Sequence, residues 1–225
     1  MFSVLLIPVI LAASVLAKSN AVSTEADTEP ILVIDAGHGG EDGGAVASDG
    51  TLESDINLDI AVRLEAMARF FGVETRMTRS AAEIDYPASA QTLAAKKKAD
   101  QDARLALIHD TPGAILLSVH QNNYPAASPY GIQVFYGTEP GSDVLASCLQ
   151  ANLTALLCRE NRRVAEPIDE GIYLMRNAAC PAVLVECGFL SNPQELAKLK
   201  TEDYRTELAV VMLGSYLQYI RGTTI

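Results

Sequence analysis

This 225-residue sequence predicts an α/β fold, a single domain built on a mostly parallel sheet with helices on both faces. Three observations carry that prediction. From Ile31 onward, short apolar runs alternate with longer stretches whose apolar residues recur at helical spacing. Residues are 49% apolar and 20% charged, a globular balance with enough material for one sizeable core. No internal repeat interrupts the alternation.

The elements follow in order. Phe2 to Ala17 carries no charged side chain. It is shorter than the roughly 20 residues a membrane helix needs, but suits the apolar core of a signal peptide. Val15-Leu16-Ala17 puts compact residues where a signal peptidase reads, although no Lys or Arg precedes the run. Residues 1–17 are therefore read as a signal peptide or membrane anchor, with a buried helix as the remaining alternative. Residues 18–30, small, polar and acidic, read as a linker, and residues 31–225 as the folded body. This organisation predicts an extracytoplasmic protein that meets the membrane only through its N-terminal segment.

Ile31-Leu32-Val33-Ile34 is a β-branched-rich run of the kind found in central strands, and it leads into Asp35-Ala36-Gly37. Asp55 to Phe71 repeats apolar residues at Ile56, Ile60, Leu64 and Met67, predicting a helix that Gly72 ends. Val73 to Thr78 reads as a strand and Ala94 to His109 as a helix. Ala114 to Val119 is an apolar strand running directly into His120. Gly131 to Tyr136 alternates as a strand, and Asp143 to Leu157 reads as a helix. Ala182 to Val185 is a last buried strand, and Asp203 to Ile220 a closing helix.

Charge and cysteine content exclude several functions. A formal net charge of -11 repels phosphate backbones, which disfavours a nucleic-acid partner. The run Lys96-Lys97-Lys98 reads as a solvated helix face whose field Asp100 and Asp102 largely cancel. Cys148, Cys158, Cys180 and Cys187 contain no C-x-x-C pair, which argues against a thiolate zinc knuckle or a redox motif. They read as small buried apolar residues. Ten residues of helix span roughly 15 Å, too far for a Cys148–Cys158 bridge.

Chemistry in open α/β sheets gathers at the carboxyl ends of strands. Here those ends carry Asp35-Ala36-Gly37-His38-Gly39-Gly40, Ser118-Val119-His120-Gln121-Asn122 and Val185-Glu186-Cys187-Gly188. Two of the three histidines lie there. The third, His109, is a polar residue suited to a helix C-terminus. Glu53, at a predicted helix start, completes a His-Glu-His set, and catalytic zinc commonly takes three N/O protein ligands. The glycines around His38 also suggest a phosphate loop, but Gly-Lys-Ser/Thr is missing and Glu41 and Asp42 make the loop acidic. Glu186, after a buried apolar run, must be paired, metal-bound or catalytic, and reads as a general base and acid.

These residues give the chain a family resemblance. Val33-Ile34-Asp35-Ala36-Gly37-His38-Gly39-Gly40, Leu52-Glu53-Ser54-Asp55-Ile56-Asn57-Leu58, Ser118-Val119-His120-Gln121-Asn122, and the segment from Pro181 to Asn192 resemble zinc-dependent N-acetylmuramoyl-L-alanine amidases of the Amidase_3 type. The likeness spans Ile31 to about Ile220. It implies a twisted, mixed sheet of about six strands, Zn2+ on His38, Glu53 and His120, and Glu186 as the catalytic carboxylate. The implied substrate is peptidoglycan, cut between N-acetylmuramic acid and L-alanine.

The short catalytic body and Gly131-Ile132-Gln133-Val134-Phe135-Tyr136 after His-Gln-Asn resemble the spore-cortex, germination-specific branch. That branch removes the stem peptide so that muramic-δ-lactam forms. The resemblance implies an open site, or one that depends on an activating sporulation protein. Gln121 stands where many members have Ala or Cys, and Asp49-Gly50-Thr51 is a short polar approach to Glu53. Competing expectations are a vegetative autolysin for cell separation, a carboxypeptidase trimming the stem, and a binding-only wall protein.

Overall fold

The computed structural model describes residues 29–222 apart from residue 170. The apolar N-terminal segment and nearly all of the linker lie outside the described residues. Among those described, no helix is long and apolar enough to cross a membrane.

The elements are β1 (Ile31–Ala36), α1 (Glu53–Phe70), β2 (Thr75–Met77), α2 (Leu93–His109), β3 (Ala114–Asn122), β4 (Gln133–Tyr136), α3 (Ser142–Leu157), β5 (Glu166–Pro167), α4 (Tyr173–Asn177), β6 (Ala182–Phe189), α5 (Pro193–Leu199) and α6 (Glu202–Ile220). The strands form one sheet in the order β2-β1-β3-β6-β4-β5. β2, β1, β3 and β6 run parallel, while β4 is antiparallel to β6 and β5 runs with β4.

Every residue of β1 is buried because both faces of the sheet are covered. On one face Leu32, Ile34 and Leu117 pack with Ile60 and Leu64 of α1, Leu149 of α3, and Leu213 and Tyr216 of α6. On the other, Val33, Leu116 and Leu184 pack with Ile108 of α2 and Met175 of α4. The alternation of adjacent strand residues between these two clusters is the period-two geometry of a strand.

Four readings of the sequence are corrected. β6 continues past Val185 to Phe189, so Glu186 lies inside a strand: it pairs with His120 on one side and Gln133 on the other. β2 is only Thr75–Met77, since it has a single partner, β1. The lysine run is not one solvated face. Lys96 binds Glu41, Lys97 binds Asp42 at 2.9 Å, and only Lys98 pairs within the helix, with Asp102 at 2.7 Å. Asp100 serves Arg104 instead, at 2.9 Å. β5, α4 and α5 were not predicted. The four cysteines are free thiols; Cys180 and Cys187 are buried as expected, but Cys148 in α3 and Cys158 at its end are only half-buried.

A candidate metal centre at the carboxyl end of the sheet

The parallel strands β1, β3 and β6 deliver Gly37-His38, His120 and Glu186 to one end of the sheet, and α1 delivers Glu53 from its first turn. One nitrogen each from His38 and His120 and one oxygen of Glu53 lie within 4.8 Å of one another. The two rings meet edge to face, with centroids 5.0 Å apart. His109 stays away from this group and meets the carbonyl of Asn177 at 2.8 Å, at the far end of α2.

Glu53 is buried at 4% exposure and fully partnered. Its Oε1 accepts from Gln121 N at 3.1 Å and Asn57 Nδ2 at 3.3 Å, and lies 2.9 Å from His120 Nδ1. Its Oε2 accepts from Ala45 N at 2.8 Å and lies 3.4 Å from His38 Nε2. Burial pushes this carboxyl up, but hydrogen bonds and charge from His120 and His38 outweigh it and hold the group well below the usual carboxylate range. Burial pushes His38 down, and Glu53 and then Asp42 outweigh it, raising the imidazole to about 9.

The loop after β1 is shaped around these side chains. Gly37 is required for space: a Cβ there would sit 2.3 Å from the His120 ring. Gly44 is required twice over, since its φ is +68° and a Cβ would meet Glu53 Oε2 at 2.6 Å. His38 itself has a φ of 59°, a left-handed conformation uncommon for a residue with a side chain. Asp42 Oδ2 holds His38 Nδ1 at 2.9 Å, leaving Nε2 to face Glu53. The turn ahead of Glu53 closes on itself, with Ala47 N bonded to Thr51 O at 2.9 Å and Thr51 N to Asp49 Oδ1 at 3.1 Å.

Glu186 is the counterpart of Glu53. Paired strand residues point to the same face, so its register opposite His120 directs it to the same side of the sheet. A register shift follows at once, between His120 and Asn122, the sort of irregularity that re-aims side chains beside active sites. Glu186 Oε2 is buried and has no hydrogen-bond partner among the described residues. Burial raises its pKa to about 7, with His120 opposing and Glu53 adding to the rise.

Over this floor opens a cleft of about 450 Å³, walled by Lys97 and Gln101 of α2, Tyr173 and Met175 of α4, Asn122 at the end of β3 and Asn123 just after it. Two imidazoles and a carboxylate held by outer partners suit a divalent cation. Glu186, half-buried with one buried oxygen that lacks a partner, lies beside them and suits proton transfer. The sequence reading missed the outer partners: Asp42, Asn57, and the arginines behind the loop. Their only signals were the four-residue spacings His38-x-x-x-Asp42 and Glu53-x-x-x-Asn57.

Comparison with known proteins agrees with this architecture. The germination-specific N-acetylmuramoyl-L-alanine amidase of Bacillus subtilis is 34% identical over 190 residues, covering 84% of this chain and 79% of that protein. The N-acetylmuramoyl-L-alanine amidase LytC of the same organism is 29% identical over 217 residues, covering 92% of this chain but 40% of LytC. The CwlD amidase of Clostridioides difficile, solved in complex with the GerS lipoprotein, superposes with a TM-score of 0.82 at 32% identity, covering 86% of this chain and 99% of that one. The Amidase_3 family profile, described as N-acetylmuramoyl-L-alanine amidase, matches residues 32–214. With that match over most of its length, the chain belongs to the Amidase_3 family and is an enzyme of the N-acetylmuramoyl-L-alanine amidase class.

Proposed function

We propose that this enzyme is a zinc-dependent, extracytoplasmic amidase that separates N-acetylmuramic acid from L-alanine in peptidoglycan during spore-cortex maturation, clearing the way for muramic-δ-lactam. The observation that carries the chemistry is the pair of unlike carboxylates in one cleft, Glu53 fully partnered and Glu186 Oε2 without a partner. The 34% identity to the germination-specific amidase of Bacillus subtilis supports the germination role.

In this reading His38, Glu53 and His120 hold the zinc, and residues 31–225 form the catalytic domain behind an N-terminal signal or anchor. Zinc in such a set supplies Lewis acidity, which acidifies water and polarises a carbonyl. The remaining work belongs to the chain. Asp42 fixes the ring of His38, while Asn57 and the main chain of Gln121 fix Glu53. Glu186 takes a proton from the attacking water and later returns it to the departing nitrogen of L-alanine. A pKa raised to about 7 suits both halves of that exchange near neutral pH. The GerS lipoprotein bound to the Clostridioides difficile relative supports an activating sporulation partner here too.

The test is mass spectrometry of purified peptidoglycan digested with the protein, with added zinc and with chelator. Zinc-dependent release of stem peptides beginning at L-alanine is the expected result. Release of free D-alanine instead would make the enzyme a carboxypeptidase and overturn the reading. Deletion in the source organism separates the biological roles: loss of muramic-δ-lactam with normal growth marks the cortex enzyme, whereas chained cells mark a vegetative autolysin.

A further inference from the structure

We infer that Arg79 is a positioning residue that sets the separation of His38 and Glu53 by bolting the loop after β1 to the first turn of α1. The inference rests on the zinc reading above, and it concerns a residue two positions beyond β2, outside every segment that carries the family resemblance.

Arg79 is buried at 9% exposure, and it makes no ion pair among the described residues. Its neighbour Arg104, by contrast, is paired: Nη1 meets Asp35 Oδ1 at 2.7 Å and Nη2 meets Asp100 at 2.9 Å, beside donations to Ala36 O at 2.7 Å and His38 O at 2.6 Å that reach the loop but not α1. A buried cation without a counter-ion is costly unless its donors find acceptors. Arg79 spends four of its five on main-chain carbonyls. Nε donates to Ala36 O at 2.9 Å and Nη1 to Ala81 O at 3.0 Å. Nη2 donates to two acceptors at once, Gly37 O at 3.1 Å and Ser54 O at 2.8 Å.

Those last two acceptors belong to the residue immediately before His38 and the residue immediately after Glu53. One nitrogen therefore ties together the two segments that supply these side chains. His38 sits at a positive φ of 59°, and α1, which starts at Glu53, has no side-chain cap; its first N–H groups bond instead to Ala45 O and Gly43 O of the same loop. The guanidinium also packs against the loop closely enough that a Cβ on Gly39 would meet Nε at 2.8 Å. A planar fork of five donors reaches three chain segments simultaneously, whereas the lysine ammonium offers three donors from one point.

The experiment compares Arg79→Gln and Arg79→Lys with the unaltered protein and with Leu149→Ala, a control that loosens the α3 core on the sheet face that α2 and α4 do not cover. Zinc and cobalt(II) affinities are measured by competition with a chromophoric chelator, beside the melting temperature of each metal-free protein. Arg79→Gln is expected to weaken metal affinity roughly 10- to 100-fold, the range for losing a partner that orients a ligand. Arg79→Lys should fall between, and Leu149→Ala should melt earlier with unchanged metal affinity. A folded Arg79→Gln protein with undiminished affinity overturns the inference. Should that variant not fold, undiminished affinity in Arg79→Lys, which keeps the buried cation, overturns it equally. An unaltered protein that binds no divalent ion is a different result: it overturns the zinc reading as well.

Discussion

The start of α1 and the middle of β6 each place one glutamate beneath the same cleft, and the two are treated in opposite ways. Glu53 receives two main-chain N–H groups and an asparagine amide, lies against both imidazoles, and is held ionised. Glu186 has an oxygen with no partner and is pushed up to about 7. The proton affinities of identical side chains are driven in opposite directions because one environment supplies donors and the other withholds them. Two carboxylates whose surroundings drive their pKa values apart are the usual mark of divided acid/base labour.

Substitution at the two glutamates is the strongest way to break that comparison. Glu186→Gln should retain metal and lower hydrolysis roughly 10²- to 10⁴-fold, the range for removing a general acid–base group. Glu53→Gln should lose metal and hydrolysis together. Metal analysis of each purified variant beside peptide-release rates checks both. Hydrolysis surviving in Glu186→Gln would remove the proton-transfer role.

A smaller effect sharpens the partnered side. Asp42→Asn weakens the hold on His38 Nδ1 and is expected to reduce zinc affinity roughly 10- to 100-fold, read by chelator competition. An unchanged affinity would show that the Gly-rich loop alone fixes the ring.

A third carboxylate, the buried Asp35, extends the comparison from chemistry to stability. Burial pushes Asp35 up, but Arg104, His120, Ser118 and Thr78 outweigh it and lower its pKa from 3.8 to about 2. A depressed native value means the contribution is complete above the unfolded value and disappears as pH falls through the folded one. About 2 kcal/mol of stability should therefore be lost between roughly pH 4 and pH 2, by linkage at 1.36 kcal/mol per unit. Denaturant titrations across that window should show the slope, and Asp35→Asn should flatten it. Least of all, Lys98→Ala should leave the denaturation midpoint essentially unchanged, because its Asp102 pair is solvent-exposed.

The same contrast explains what could be read from the sequence. His38, His120 and Glu186 stand next to continuous apolar runs, so strand-end chemistry announces them, and Glu53 stands at a helix start. The structure brings all four to one cleft floor. The helices α1, α2, α3 and α6 each run 16 residues or more, long enough for their period to show. β5 has two residues and α4 five, too few for either period to register. Asp42, at a spacing of four, was within reach of local reasoning but was weighed only as loop charge. Arg79 was not, since its acceptors lie 42 and 25 residues away along the chain. Lys96 and Lys97 were misread for the same reason: their acidic partners lie on the Gly-rich loop, 55 residues apart in the case of Lys96 and Glu41.

The placement of the shortest strands has its own consequence for how the protein behaves among its neighbours. The two rims of the sheet are β2, three residues long, and β5, two residues long and ending in Pro167. Exposed Arg76 and Glu166 stand on them. A rim that short, charged and interrupted by proline gives an incoming strand almost nothing to bond to. The long apolar strands that would template aggregation, β1, β3 and β6, are shut inside. The sheet is thus insulated against edge-to-edge association, so concentrated protein should remain dispersed rather than assemble through its strands.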